Sequence, residues 1–410
     1  MSRKQWDLMT QKKLTLAYAK HYQRAPSKRE KSQILDEFTK LTGYHRSYAP
    51  WLLRHAGRRI TIHTPQGPRA ILVADPHRRI KRKRPKTYDH EVLKSLRKIW
   101  AILDCPCSLK LKAILPKIIP KLERHGELTL KEDLREKLLQ ISRATIDRLL
   151  APERRRLALK PRAKTRPGTL LKKQIPIRTF AQWEEDEPGF VEVDLLSHDG
   201  GLARGDHAWS LVLTDVCTQW TEVVPLKNRA QLWAFEALQE ASGRLPFPLR
   251  GLDSDNDGAF INHHLLRWCQ ERGVLFTRCR PYRKNDNCYV EQKNWTVARR
   301  YFGYFRYDRE EALRVLKELS GLLSLHVNFF QPSVKLKEKR RKGGRVRRVY
   351  DEPKTPFERV LEHPKVSEVL KAELQRRYEG LNPADLRRKI LRLQQELFRL
   401  ATPLRGITYE

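Results

Sequence analysis

The sequence predicts a multidomain protein: α-helical modules first, an α/β region with a mixed five-stranded sheet in the middle, and a basic, helical C-terminal region. Three observations predict it. Helix-period patterning with capping residues dominates the first 150 residues. Strand-forming segments alternate with amphipathic helices between residues 188 and 302. Runs of lysine and arginine separate or follow these regions.

The helical part reads as two modules. In residues 1–75, Ser27-Lys28-Arg29-Glu30 has the form of a capping box, where hydroxyl and carboxylate satisfy backbone N–H groups reciprocally. It opens a helix carrying Ile34, Leu35, Phe38 and Leu41 at amphipathic spacing. Gly43 then turns the chain, and residues 44–55, which include Arg46, form a second, basic helix. This is the order of a helix-turn-helix, with Arg46 a candidate DNA contact. A plain helical hairpin is the alternative, since Pro50 would kink or end the second helix. Residues 76–87 form a basic linker, with seven of the nine residues 78–86 Lys or Arg. Residues 88–150 are helical again. There Leu134, Leu138 and Leu139 share one face, and Ser142 can cap a helix bearing Arg143 and Arg148 beside apolar Ile146, Leu149 and Leu150. This second helix-turn-helix makes Arg143 and Arg148 candidate DNA contacts.

Residues 151–183 read as a second basic linker. The first thirty of them hold ten Lys/Arg, one Glu and four Pro, a composition that buries no core and suits a strap along DNA. Residues 184–325 then change character. GFVEVDLL, AWSLVLTDV and QWTEVVPL are strands, RAQLWAFEALQEASG a helix, PLRGLDSD a strand, NHHLLRWCQERG a helix, LFTRC a strand and NDNCYVEQKNWTVARRYF a helix. The order βββαβαβα implies a mixed sheet with helices packed on it. Residues 326–410 carry nine basic residues between Lys335 and Arg348, then helices near 366–377 and 383–400. The last has a coiled-coil-like stripe of Leu386, Ile390, Leu393 and Leu397.

Lys and Arg total 84 against 48 Asp and Glu, a net charge of +36. Such an excess favours a polyanionic partner, because each neutralised phosphate releases counterions. No run of 18 apolar residues occurs and the start MSRKQWDLMTQKK lacks a signal-peptide core, so a soluble, cytoplasmic protein with no membrane partner is expected. The six cysteines include no CxxC pair and are expected to be reduced. Cys105 and Cys107 lack a companion pair, and His263 and His264 before Cys269 and Cys279 do not have a zinc spacing, so no zinc is implied.

The carboxylates carry the chemistry. Cleaving a phosphodiester with two divalent metals needs hard oxygen ligands, brought by folding from strand ends and a helix. In VEVDLL, Val191 and Val193 alternate with Glu192 and Asp194, one acid near the exposed strand start and Asp194 deeper, where an unpaired carboxylate is costly. In GLDSDNDGAF, Asp253 and Asp255 share a strand face by period two, and Asp257 looks like a turn residue. Asp255 lies at the strand's carboxyl end, where α/β sites collect ligands, and Asp253 is the fallback. Glu291 aligns with Trp295, Ala298 and Phe302 at helical spacing, an acid on what reads as a core-facing stripe.

The segments EVDLLSHDGG, LDSDNDGAFIN and RPYRKNDNCYVEQKNW resemble the catalytic core of DDE transposases of bacterial insertion sequences, relatives of retroviral integrases. In that family 35 residues separate the second and third carboxylates, and Asp255 and Glu291 have that separation (291 − 255 − 1 = 35). Preferring Asp255 over Asp253 rests on this resemblance more than on strand geometry; the chain reads SDNDG where the family has SDNG. HVNFFQPSVKL and YDEPKTPFERVLE also look like the sequence that follows the core in these enzymes.

The resemblance implies a ribonuclease-H-like core and a catalytic, metal-binding triad of Asp194, Asp255 and Glu291 holding two Mg²⁺ ions, with Mn²⁺ a possible substitute. It implies DNA contacts at Lys284, Asn285 and Asn294, with Lys293 as an addition and Arg280 and Tyr282 on a loop at the site's edge. It implies a transposase that binds terminal inverted repeats, cuts the 3′ ends and transfers them into target DNA as a homo-oligomer on the nucleoid, without a small-molecule cofactor. Alternatives are a silent transposase-derived DNA-binding protein and a structure-specific nuclease. His198 either approaches the leaving phosphate or makes a structural hydrogen bond, and Asp215 reads as a turn acid.

Overall fold

The computed structural model describes residues 7–65, 67–75, 87–156, 187–255, 257–279, 288–342 and 345–402. The chain divides into two compact units, residues 1–87 and 88–410.

The first unit holds α1 (Leu8–Arg24), α2 (Lys28–Thr42), α3 (Ala49–His55) and a hairpin of β1 (Arg59–Thr64) and β2 (Gly67–Leu72). Ser27 caps α2 by accepting the Glu30 N–H, and Gly43 ends it at φ +74°. The second helix begins at Ala49, five residues later than the sequence suggests (49 − 44 = 5), because Pro50 occupies its first turn. There a missing N–H loses no hydrogen bond, so the proline starts the helix and does not kink it. Leu35, Phe38, Leu52, Leu53 and Val73 form the core, while Leu41 is left exposed. The hairpin is absent from the sequence reading.

In the second unit, α4 (His90–Ile102), α5 (Ser108–Arg124), α6 (Glu132–Gln140) and α7 (Arg143–Arg156) make up the second helical segment. Ser142 accepts the Thr145 N–H and so caps α7. Leu138, Ile141, Ile146 and Leu150 are fully buried there, with Leu134 and Leu139 half-buried against them.

The central sheet comprises β3 (Phe190–Ser197), β4 (Trp209–Asp215), β5 (Thr221–Leu226), β6 (Gly251–Ser254) and β7 (Leu275–Arg278), in the order β5-β4-β3-β6-β7. The pairs β3–β4 and β4–β5 are antiparallel, whereas β3–β6 and β6–β7 are parallel, so the sheet is mixed as expected. Gly251 permits the β3–β6 contact: a Cβ there would meet the Phe190 ring at 2.4 Å. Between the strands run α8 (Gln231–Gly243) and α9 (His263–Glu271), the latter capped by Asn262.

Strand periodicity assigns the two sheet faces. Val191, Val193, Leu195, Leu211 and Leu213 pack with α8 and α9 residues, in a core that also takes in α4–α7. Leu196, Val212 and Val223 belong to a second core. That second core lies under α10 (Cys288–Lys293), a π-helical turn (Asn294–Arg299), α11 (Arg300–Phe302) and α12 (Glu310–Phe330). After these come a hairpin of β8 (Leu336–Lys342) and β9 (Arg345–Tyr350), then α13 (Pro356–Glu362), α14 (Glu368–Gly380) and α15 (Pro383–Arg399). The segments read as 88–150, 184–325 and 326–410 therefore share hydrophobic cores. The leucine stripe of α15 is buried within the chain, its Ile390, Leu393 and Leu397 beside α12 residues. Among the described residues, no helix is long and apolar enough to cross a membrane.

Candidate active site

Two acidic strands meet at the carboxyl edge of the sheet. The parallel register pairs Glu192 with Asp253 and Val193 with Ser254. Continuing one residue places Asp194 beside Asp255, just beyond β6. Period two puts Glu192 and Asp194 on the face toward α10, which carries Glu291. The acids thus form two layers. The inner one, Glu192 and Asp253, is wholly buried, and the outer one, Asp194 and Asp255, is half-exposed. This reverses the expected order on β3, because β6 covers the start of the strand and leaves its end open.

The inner layer takes its partners from within, except that Glu192 Oε1 is buried without one. Asp253 accepts from the Thr277 hydroxyl at 2.5 Å and the Cys279 thiol at 3.2 Å. Glu192 Oε2 accepts the N–H groups of Tyr289 and Val290, both at 2.9 Å. The outer layer faces outward. Asp194 Oδ1 accepts the Leu195 N–H at 2.8 Å and its Oδ2 accepts from Asn294 Nδ2. Asp255 Oδ1 accepts the Asp257 N–H at 2.9 Å, making Asp257 the turn residue expected of it.

Burial pushes the Asp194 carboxyl above the usual carboxylate range. The charge of Asp255 adds to the rise, Glu291 contributes less, and the Leu195 and Asn294 hydrogen bonds oppose it. Asp255 is raised too, first by burial and then by Asp257, against the Asp257 N–H and Arg229. Two half-buried carboxylates this close resist ionising together without a cation between them. Their hard oxygen donors suit Mg²⁺ or Mn²⁺, and the strain between them is what a divalent ion would relieve. The donor set therefore fits the implied metal. Among the described residues, no three His, Cys, Asp or Glu side chains stand as a ready-made cage.

Glu291 departs from the stripe read from sequence. It is exposed, as is Trp295 at 42%, whereas Val290, Lys293, Val297 and Ala298 are buried. The π-helical turn at residues 294–299 takes more residues per turn than an α-helix and shifts the phase between Glu291 and the residues below it. The acid consequently opens outward, near enough for its charge to bear on Asp194 and Glu192.

Among the DNA-contact candidates, Asn294 is half-buried on Asp194. Lys293 is a correction: at 6% exposure it is packed inside, its amine pushed down to about 7 by burial, with Lys110 and Arg359 adding to the effect. A buried ammonium is not placed as a surface phosphate contact. Arg143 and Arg148 are exposed on α7. Arg46 is exposed and pairs with Asp36 while donating to Ser32 at 2.8 Å. Arg280, Tyr282, Lys284 and Asn285, with most of both basic linkers, lie outside the described residues. His198 is fully buried and shares a 2.7 Å hydrogen bond with Ser210, the structural alternative. Asp215 closes a turn by accepting from Gly189, Thr218 N–H and the Thr218 hydroxyl. Sequence reasoning missed Glu192, whose partners lie 97 and 98 residues away.

Residues 184–284 match the integrase core domain family. Over 352 residues the chain is 39% identical to the uncharacterized protein y4rM of Sinorhizobium fredii (strain NBRC 101917 / NGR234), covering 86% of this chain and 95% of that one. The chain belongs to the integrase-core family. Among solved structures, the catalytic core domain of BIV integrase aligns at 18% identity and TM-score 0.27, over 42% of this chain and 91% of that one. This integrase-core protein is thus a member of the integrase- and transposase-like DDE superfamily, with a ribonuclease-H-like core flanked by helical regions. The integrase core domain belongs to DNA recombination chemistry. The family match contains Asp194 and Asp255 and ends seven residues before Glu291 (291 − 284 = 7).

Proposed function

We propose that this integrase-core protein is a transposase that binds the terminal inverted repeats of an insertion sequence, cuts 3′ ends and joins them to target DNA. The observation that carries the reading is the outer acid pair, Asp194 and Asp255, side by side at the sheet edge, with Glu291 opening outward on α10. Asp194, Asp255 and Glu291 would hold two Mg²⁺ ions, or Mn²⁺ in their place. Bound there, such ions lower the pKa of a hydrolytic water and stabilise the entering and leaving oxygens of in-line displacement at phosphorus.

The chain's own residues supply the placement. Asp194 is fixed by the Leu195 N–H and the Asn294 amide, so its oxygens cannot turn away from the edge. Asp255 is held by the turn at Asp257, which Arg229 secures from the far side at 3.4 Å. No protein nucleophile is required, since water and then the DNA 3′-hydroxyl attack. Exposed Arg143 and Arg148 on α7, and Arg46 before α3, would contact the repeat. The basic linkers would neutralise phosphates. Joining two ends calls for a homo-oligomer on DNA, acting at the bacterial nucleoid. Incubating the protein with Mg²⁺ and a pre-cleaved repeat end tests this. Joined products support the transposase. Hydrolysis without joining marks a structure-specific nuclease, and binding without either marks a silent DNA-binding descendant.

A further inference from the structure

Glu192 lies outside the proposed metal triad, yet it is a fully buried carboxylate two residues from Asp194. Its Oε2 accepts two backbone N–H groups, from Tyr289 and Val290, each at 2.9 Å. Both belong to the first turn of α10, where a helix has no carbonyl of its own to offer its N–H groups. Glu192 therefore caps α10 from another element, across the sheet face.

The residue after Val290 is Glu291. Three residues further on, Asn294 donates to Asp194. The α10 segment is thus pinned to β3 at two points, by Glu192 before Glu291 and by Asp194 after it. Between those points stands Glu291, exposed on α10. The two clamps hold the backbone of the segment that carries it.

We propose that Glu192 is the positioning residue for Glu291: its buried carboxylate fixes the first turn of α10 so that Glu291 stands at the edge where Asp194 and Asp255 meet. The inner acid layer then has a purpose distinct from the outer one. Asp253, tied to Thr277 and Cys279, belongs to the wall behind it. This inference rests on Glu291 being the third carboxylate of the site.

Two substitutions separate reach from ionisation. Glu192→Gln keeps an acceptor oxygen at the same reach and cannot ionise. Glu192→Asp keeps the carboxyl group and withdraws the oxygens by one methylene. Strand transfer is measured across a Mg²⁺ titration, and amide hydrogen exchange of the segment holding Tyr289 and Val290 is followed in the same full-length proteins. Glu192→Asp should raise the Mg²⁺ concentration for half-maximal transfer, and the exchange rate at 289–290, by about tenfold, as expected when buried backbone N–H groups lose their acceptor. Glu192→Gln should recover most of both. Wild-type Mg²⁺ dependence in Glu192→Asp, or Glu192→Gln as impaired as Glu192→Asp, overturns the proposal. If Glu192→Asp does not fold, Glu192→Gln decides: its Mg²⁺ response must stay near wild type, and a loss there overturns the proposal equally. Glu291→Gln runs alongside. Full transfer by that variant removes the third-carboxylate reading itself, while the exchange data still report separately whether Glu192 holds α10.

Discussion

Glu222 shows how deeply this basic chain buries acid away from its site, and it allows a prediction free of any metal. The residue lies on β5 at 2% exposure. Its Oε1 accepts from Trp220 Nε1 at 2.8 Å, Ser324 Oγ at 2.7 Å and Asn328 Nδ2 at 3.4 Å, while Oε2 is buried without a partner. Burial raises its pKa from 4.5 to about 7, partly offset by the Ser324 and Trp220 hydrogen bonds and the charges of Arg244 and Arg377. The folded protein therefore keeps this proton to a higher pH than the unfolded chain. The stability from the neutral form is complete below the ordinary glutamate value and is lost as the pH rises through about 7. The difference between 4.5 and about 7 corresponds to roughly 3 kcal/mol. Glu222→Gln cannot ionise and keeps the Oε1 acceptor, so the variant should gain on the wild type by about 3 kcal/mol between pH 4.5 and pH 8.5. Paired urea denaturations of the full chain by circular dichroism measure the difference, in which distant titrations cancel. A wild-type–variant difference that stays flat across that range would refute the reasoning.

Three further outcomes follow from the same geometry. Asp104 accepts from Tyr301 Oη at 2.7 Å and pairs with Arg300 at 2.6 Å and Arg387 at 2.7 Å, joining the α4–α5 turn to α11 and α15. Asp104→Ala leaves two guanidinium groups without that acid and should destabilise the chain by about 3–5 kcal/mol in urea denaturation, with a loss under about 1 kcal/mol speaking against a structural network. Asn294→Ala removes the side-chain donor on Asp194 and should lower strand transfer at limiting Mg²⁺ by about ten- to a hundredfold. DNA affinity in a gel-shift assay should be unchanged; lost affinity would instead mark Asn294 as a DNA contact. Arg143→Ala and Arg148→Ala should each reduce the slope of log affinity against log salt for repeat DNA by about one, read by fluorescence anisotropy between about 50 and about 200 mM salt. Unchanged slopes would take α7 off the phosphates.

The catalytic sheet is legible because its strands are continuous hydrophobic runs with acids at fixed positions, and because the spacing from Asp255 to Glu291 survives as a number in the sequence. The β3 alternation is legible too: one valine face and one acidic face. Which acid is the deeper is not, since that depends on β6 covering Glu192. Both hairpins escape notice for a different reason. In β1–β2 the strands are largely exposed, and β8–β9 is built mostly from lysine and arginine, so neither shows a buried face. The inward stripe assigned to Glu291 fails because a helical wheel assumes a constant turn and the π-helical segment breaks it. Glu192's bonds to α10 bridge nearly a hundred residues, beyond the reach of any local pattern.

The central claim is that Asp194, Asp255 and Glu291 act together on DNA. The most direct measurement is strand transfer of a pre-cleaved repeat end in Mg²⁺, comparing wild type with Asp194→Asn, Asp255→Asn and Glu291→Gln while monitoring DNA binding in parallel. The expected result is joining by wild type alone, with binding retained in all four proteins. Normal joining by any of the three variants contradicts the account.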